Sequence, residues 1–425
     1  MILHVVRSGE TMLSIANEYQ VSETRLRSDN GMSQTQMPCV GQALLVLYPE
    51  RTYTVKEGDT PLSIANENGI SLRQLQRNNP SIATEKDIYP NQTLILSYEN
   101  EQRGNILSVG YTYPFIEQST LETTLPYLSL LTPFTYGIKE DGSLMYIHNT
   151  ELTDTARSLG TKTVLMVSTL GEDGIFNGEL PKQIFSNKEI TTRLVENIVS
   201  TAQSQGFSYI DSDFEFMPRE AAQDFAYFIS QLRTAANAVG IKVIVALAPK
   251  TSGTMQGALY EGHLYPEIGQ NSDYVLLMTY EWGYTYSPPQ AVAPIDKVRA
   301  VLEYAHRVIP GHKILLGIPN YGYDWKLPFV ASESKATSIS NTDAVLLAEK
   351  TQAEIQFDPI AMSPYFYYTD ENSDPHVVWF EDARSILQKL NLIPEYNLAG
   401  FSVWNILRWF PALWLEANAL YEIEE

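Results

Sequence analysis

The chain has 425 residues, 44% hydrophobic and 19% charged, with 50 Asp and Glu against 29 Lys and Arg for a formal charge of −21. That length and composition describe a folded protein of two or three domains with a sizeable core, and the negative charge argues against nucleic acid and anionic membrane surfaces as partners. The single Cys39 rules out an internal disulfide and reads as an inert thiol, and no run approaches the ~20 apolar residues of a membrane span.

The first residues, Met1-Ile2-Leu3-His4-Val5-Val6-Arg7, lack the basic start and long apolar stretch of a secretory signal. Synthesis in the cytoplasm without a signal peptide is therefore expected. An internal repeat follows: His4-Val5-Val6-Arg7-Ser8-Gly9-Glu10-Thr11 recurs as Tyr53-Thr54-Val55-Lys56-Glu57-Gly58-Asp59-Thr60, and Leu13-Ser14-Ile15-Ala16-Asn17 as Leu62-Ser63-Ile64-Ala65-Asn66. Each unit reads as a strand, a Gly turn, a helix opened by Thr11 or Thr60 as N-cap, a second helix and a closing strand. So small a unit buries little core and depends on tight packing of Leu13, Ile15 and Leu26, and of Leu62, Ile64 and Leu75.

This βααβ pattern closely resembles the LysM module, a binder of N-acetylglucosamine units in peptidoglycan or chitin. The resemblance implies that Gly9, Thr11, Gly58, Asp59 and Thr60 in the turns, with Asn30, Asn79 and Pro80 after the second helices, border a sugar groove. Turn and cap chemistry is an equal explanation for those residues. The boundaries are placed at 1–49 and 50–98, with a polar linker over Tyr98–Asn105 opening the third unit, 99–425.

That third unit interleaves eight apolar runs with helical patterns: 106–113, 128–136, 163–168, 209–216, 242–248, 274–280, 314–319 and 400–404, with amphipathic stretches at 188–205, 220–239 and 294–308. The alternation predicts an α/β fold, a (β/α)₈ TIM barrel. A longer segment, about 326–380, separates the seventh and eighth runs and leaves open whether it forms a subdomain.

In the fourth run, Tyr209-Ile210-Asp211-Ser212-Asp213-Phe214-Glu215-Phe216 carries acids at every second position. On a strand that period puts all three on one face, and in a parallel barrel that face points into the interior, where unpaired charge is costly. Glu215, nearest the C-terminal end where barrel enzymes assemble their sites, is expected to have a raised pKa beside an ionised Asp213 and to act as a proton donor. Asp211, deeper, is expected to share a proton or hydrogen bond with Asp213.

Asp211-x-Asp213-x-Glu215 resembles the signature of glycoside hydrolase family 18, the chitinase-type barrels, over about 104–425. The resemblance implies a substrate-assisted, retaining hydrolysis in which Glu215 is acid then base, Asp213 holds the acetamido N–H and Asp211 supports Asp213. The family pattern has another Asp three residues before Asp211, where this chain has Ser208. Leu277-Met278-Thr279-Tyr280-Glu281-Trp282 resembles the family segment whose Tyr, here Tyr280, contacts the acetamido carbonyl. Glu281 stands where Asp is commoner and reads as a substrate contact or a rim salt bridge. Trp404, in Phe401-Ser402-Val403-Trp404, matches the Trp that floors the cleaved subsite. Trp282 and the run Asn320-Tyr321-Gly322-Tyr323-Asp324-Trp325 are expected to line the cleft, with Tyr321, Tyr323 and Asp324 as candidates.

Histidines at 4, 148, 263, 306, 312 and 376 show no metal-ligand spacing, and there is no phosphate loop or serine elbow, so no metal or cofactor is implied. Tandem LysM modules before such a barrel, together with Pro288-Pro289 and Pro294-Ile295 after the Tyr280 segment, look like the spore cortex-lytic N-acetylglucosaminidases of endospore-forming bacteria. A peptidoglycan substrate and a place in the spore coat or cortex are implied. Chitin is an alternative substrate, and a non-catalytic sugar-binding coat protein or an inverting muramidase are alternative functions.

Overall fold

The computed structural model describes all residues except 85–87, 100, 101 and 171–175. Asn100 and Glu101 of the expected linker lie outside the described residues.

Each N-terminal repeat folds as predicted from strand to strand: Ile2–Val5 pairs with Ala43–Val46 around helices Met12–Tyr19 and Glu23–Asp29, and Pro49–Thr54 pairs with Thr93–Tyr98 around Pro61–Glu67 and Leu72–Asn78. The second repeat adds a short helix, Ser81–Thr84. Thr11 and Thr60 form reciprocal capping boxes with Ser14 and Ser63, satisfying helix-start donors that would otherwise be orphaned. The core differs from expectation at two positions. Leu13 and Leu62 are 56% and 54% exposed, because the buried pairs Ile15-Ala16 and Ile64-Ala65 set the inner face of each helix and a residue two positions before the isoleucine lies nearly opposite it. Val6, Met12, Ile15 and Leu26 form one core, and Val55, Ile64 and Leu75 the other.

From Asn105 the chain builds a closed barrel of eight parallel strands, Asn105–Thr112, Leu130–Pro133, Lys162–Ser168, Tyr209–Asp213, Lys242–Leu247, Tyr274–Leu277, Ile314–Pro319 and Gly400–Trp404. The run expected as one strand over 128–136 is divided into Leu130–Pro133 and Tyr136–Ile138, the latter continuing beside the third strand and turning into a hairpin with Leu144–Met145. Strand residues alternate between an inner cluster (Val109, Tyr111, Met166, Ile244, Leu276) and an outer one against the helices (Ile210, Val243, Val275, Phe401).

The segment after the seventh strand is a subdomain. Thr337–Ile339, Gly322–Lys326, Pro375–Trp379, Ser363–Thr369 and Gln356–Asp358 pair in that order as an antiparallel sheet, with helix Asn341–Thr351 alongside.

The two repeats are not beads ahead of the barrel; they are packed on it. Every residue of the last barrel helix, Pro411–Leu420, is buried, since the barrel covers one side and the second helices of both repeats cover the other. The helix is apolar except for Glu416 and Asn418, which are buried with it. Polar clamps fix the interface. Arg73 donates to the carbonyls of Gly160 (2.9 Å), Leu125 (3.2 Å) and Leu128 (2.6 Å), Tyr127 Oη donates to the carbonyl of Arg77 (2.5 Å), and Asn418 Nδ2 donates to Asn78 Oδ1 (2.9 Å). Cys39 packs with Ala344, Ile355 and Phe366 of the subdomain, and burial raises its thiol to about 11.

Candidate active site

The fourth barrel strand hydrogen-bonds on both sides, pairing Asp211 with Met166 and Ile244, and Asp213 with Ser168. Its alternation places Ile210 and Phe214 outward, Phe214 stacking on Phe185, Phe225 and Phe228. Asp211 and Asp213 consequently face the interior, 0% and 4% exposed. The strand ends at Asp213, and Glu215 stands in the turn beyond it, half-buried. Ser208 lies at the opposite end, where its amide donates to the Thr163 carbonyl.

Two residues outside the motif position these carboxyls. Tyr111 Oη donates to Asp211 Oδ2 at 2.5 Å, so the partner of Asp211 is this tyrosine of the first strand and not Asp213. His263, wholly buried, accepts the Ala248 amide at Nδ1 (2.9 Å), which leaves the proton on Nε2 to be donated to the Phe214 carbonyl (3.0 Å). That bond fixes the backbone immediately before Glu215. Burial keeps this imidazole neutral, its pKa lowered to about 4.

The electrostatics follow from desolvation. Burial raises Asp211 to about 6, against the opposing Tyr111 hydrogen bond. Burial, then the charges of Glu215 and Asp211, push Asp213 well above the usual carboxylate range, and its Oδ1 has no protein partner. Glu215 is raised to about 7 by burial and then by the charge of Glu281. The main charge acting on Glu215 is therefore Glu281, where the sequence pointed to Asp213.

Asp213 and Glu215 open into a cavity of about 520 Å³ walled by Tyr113, Phe134, Met278, Tyr280, Trp282 and Trp404 among others, a size and apolar character suited to a sugar-sized ligand. Trp404 ends the eighth strand with its ring braced by Phe134, Tyr111 and Tyr113 at centroid distances of 5.1, 6.0 and 6.0 Å. Gly317 on the neighbouring strand makes room for Tyr280: a Cβ there would meet the Leu277 carbonyl at 2.4 Å and the Tyr280 ring at 2.8 Å. Glu281 adopts φ +65° and accepts from Tyr321 Oη and from Tyr323 Oη (3.2 Å). Its partners are hydroxyls, not the cation of a rim salt bridge, and burial raises its pKa while those hydroxyls lower it.

Among the sequence candidates, Asp213, Glu215, Tyr280, Glu281, Trp282 and Trp404 converge on this cavity. Tyr321 and Tyr323 reach the adjoining one. Asp324 does not: strand alternation turns it to the far face of the subdomain sheet, where it accepts from Tyr368 Oη (2.6 Å) and contacts His376 Nδ1 (2.8 Å). In the repeats, Gly9 and Gly58 take φ +85° and +86°, and Asp59 closes its turn by accepting from the Lys56 amide (2.7 Å) and Tyr53 Oη (3.0 Å). Asn30 and Asn79 turn inward, each bridging helix to strand through Leu45 and Ile95. Pro80 precedes the short helix.

The family model for glycosyl hydrolases family 18 matches residues 125–408, and that for the LysM domain matches 4–46 and 53–97. The chain is 39% identical to a cortical fragment-lytic enzyme of Bacillus subtilis (strain 168), over 98% of this chain and 97% of that one. It is 37% identical to the enzyme of the same name from Bacillus anthracis, over 96% of each. Among solved structures, the spore cortex-lytic enzyme SleL of Bacillus megaterium QM B1551 superposes with a TM-score of 0.84 at 32% identity, covering 99% of this chain and 98% of that one. SleL of Bacillus cereus does so with a TM-score of 0.84 at 32% identity, covering 100% and 98%.

Proposed function

Because the chain belongs to family 18 of the glycosyl hydrolases and carries two LysM domains, we propose that it is a retaining, substrate-assisted β-N-acetylglucosaminidase acting on peptidoglycan of the spore cortex or its fragments. The cortex-lytic names of its relatives support the substrate and a place in the spore. The observation that carries the chemistry is the set of acids on the cavity wall. Among the described lining residues only Asp213, Glu215 and Glu281 are carboxylic, and Glu281 is engaged by two tyrosines.

In this reading Glu215 protonates the glycosidic oxygen while the acetamido oxygen of the sugar attacks the anomeric carbon. Asp213 accepts the acetamido N–H, and the Tyr280 hydroxyl donates to its carbonyl oxygen. Trp404 stacks under the pyranose. The oxazolinium so formed is opened by water, whose proton Glu215 takes back, with net retention. The LysM domains hold the polymer on the same body.

Digestion of cortex peptidoglycan and chitin side by side, with product masses and the first-formed anomer read, tests the proposal. Products ending in reducing N-acetylglucosamine with β configuration are expected. Reducing N-acetylmuramic acid would overturn the bond assignment in favour of a muramidase, and an α anomer would overturn retention. Preference for chitin would overturn the substrate.

A further inference from the structure

Glu215 stands on the turn 214–217 that follows the fourth strand, and loops from two other strands enclose that turn. Phe216 takes φ +54°, a left-handed conformation that a bulky residue keeps only where its surroundings impose it. On one flank, a Cβ at Gly178 in the loop after the third strand would meet the Phe216 carbonyl at 2.2 Å. On the other, a Cβ at Gly262 would meet the Met217 carbonyl at 2.3 Å. Backbone thus closes on backbone from both sides of the acid.

The second flank belongs to the long loop between the fifth strand, Lys242–Leu247, and helix Tyr265–Asn271, a loop that sends Pro249, Leu259 and Tyr260 into the cavity wall. Its two ends are tied together. Tyr265 Oη donates to the Ala248 carbonyl (2.6 Å) and accepts the Lys250 amide (3.1 Å), and Lys250 Nζ donates to the His263 carbonyl (2.9 Å). Lys250 is 2% exposed, its ammonium lies 5.9 Å from the Tyr265 ring, and it forms no ion pair among the described residues. Burial lowers its pKa, and the charges of Glu261 and Glu267 oppose this. Placing a charge there is costly where a methionine would fill the same space, and what the ammonium gains in return is the carbonyl of the residue whose imidazole holds Phe214.

We propose that Lys250 is a positioning residue for Glu215, acting through His263: the ammonium fixes the His263 backbone, the imidazole fixes the Phe214 carbonyl, and the acid that follows is held in one orientation toward the glycosidic oxygen. The inference rests on the proposed role of Glu215 as proton donor. Lys250 and His263 lie outside the cavity lining, so their loss should act on turnover and not on substrate binding. Misplacement of a catalytic group by about 1 Å is enough to lower its rate contribution severely.

The test compares full-length wild type, Lys250→Met, His263→Phe and His263→Gln on soluble cortex peptidoglycan fragments across pH. Lys250→Met should lose about tenfold in kcat with KM near the wild-type value. Its alkaline limb of kcat/KM, set by Glu215 at about 7, should move to lower pH, because a turn free to shift lets the carboxyl reach water. His263→Phe fills the ring's space without the donor and should show both changes; His263→Gln keeps a donor at the ε position and should recover part of kcat. These two variants read the same line if Lys250→Met does not fold. In the Lys250→Met/His263→Phe double variant the loss should not exceed the larger single loss, since both act through one path. A lowered kcat with an unmoved limb, a loss carried mainly by KM, or multiplied losses in the double variant would overturn the inference and leave the hydrolase reading in place. Wild type that cleaves neither cortex fragments nor chitin would overturn the proposed function and this inference with it.

Discussion

Tyr111 Oη and Asp211 Oδ2 are joined at 2.5 Å across the barrel interior, from the first strand to the fourth. This bond holds the deepest carboxyl from a direction the motif does not contain. It also favours the ionised form of Asp211 against burial. Tyr111→Phe should raise the pKa of Asp211 further and lower kcat by about tenfold, with the protein still folded. A kcat equal to that of the wild type would remove Tyr111 from the machinery.

Glu215→Gln should cost on the order of 10³-fold in kcat/KM, the range of a lost general acid, without loss of binding to insoluble peptidoglycan. Residual turnover near the wild-type level would sink the assignment of the acid.

Glu215, raised to about 7 by burial and then Glu281, must be protonated to donate. Above about pH 7, kcat/KM should therefore fall with rising pH. Removing a like charge lowers a carboxyl pKa, so Glu281→Gln should move this limb to lower pH. A pH profile for Glu281→Gln with an unshifted limb would break the link between the two acids.

Stability should carry the same signature. Asp211 has a folded pKa of about 6, above the ordinary value of about 4. Protonation is thus favoured in the fold, and the contribution is fully present below about pH 4 and lost as pH rises through about 6. Asp211→Asn keeps an acceptor for Tyr111 and cannot ionise. At pH 8 it should be more stable than wild type by on the order of 2 kcal/mol, with little difference at pH 4. Urea unfolding at the two pH values measures this.

Deleting residues 1–97 should do more than weaken retention on insoluble substrate. It uncovers Pro411–Leu420 and the carbonyls held by Arg73, so the thermal midpoint of the barrel should fall as well. Arg73→Ala in the full chain isolates the clamp and should cost about 2 kcal/mol. Thermal midpoints unchanged in both would show the docking to be energetically neutral.

Local pattern alone carried the repeats, the alternation of eight strands with helices, and the acids at positions 211, 213 and 215. Each is a short-range periodicity set by backbone geometry, and a family resemblance could be laid over it. What pattern could not supply was anything joining residues distant in sequence. Tyr111 on Asp211, His263 behind Phe214 and Glu281 under two tyrosines are meetings of residues from different barrel strands and loops, made where the sheet closes on itself with the first strand beside the eighth. The same holds for Leu13, Leu62 and Asp324, whose apolar or acidic character was read correctly while the direction they face was not. One residue of register decides that direction, and only packing of the whole chain sets it. That the last helix, Pro411–Leu420, is buried on all sides, with LysM helices as its outer cover, is likewise a tertiary fact.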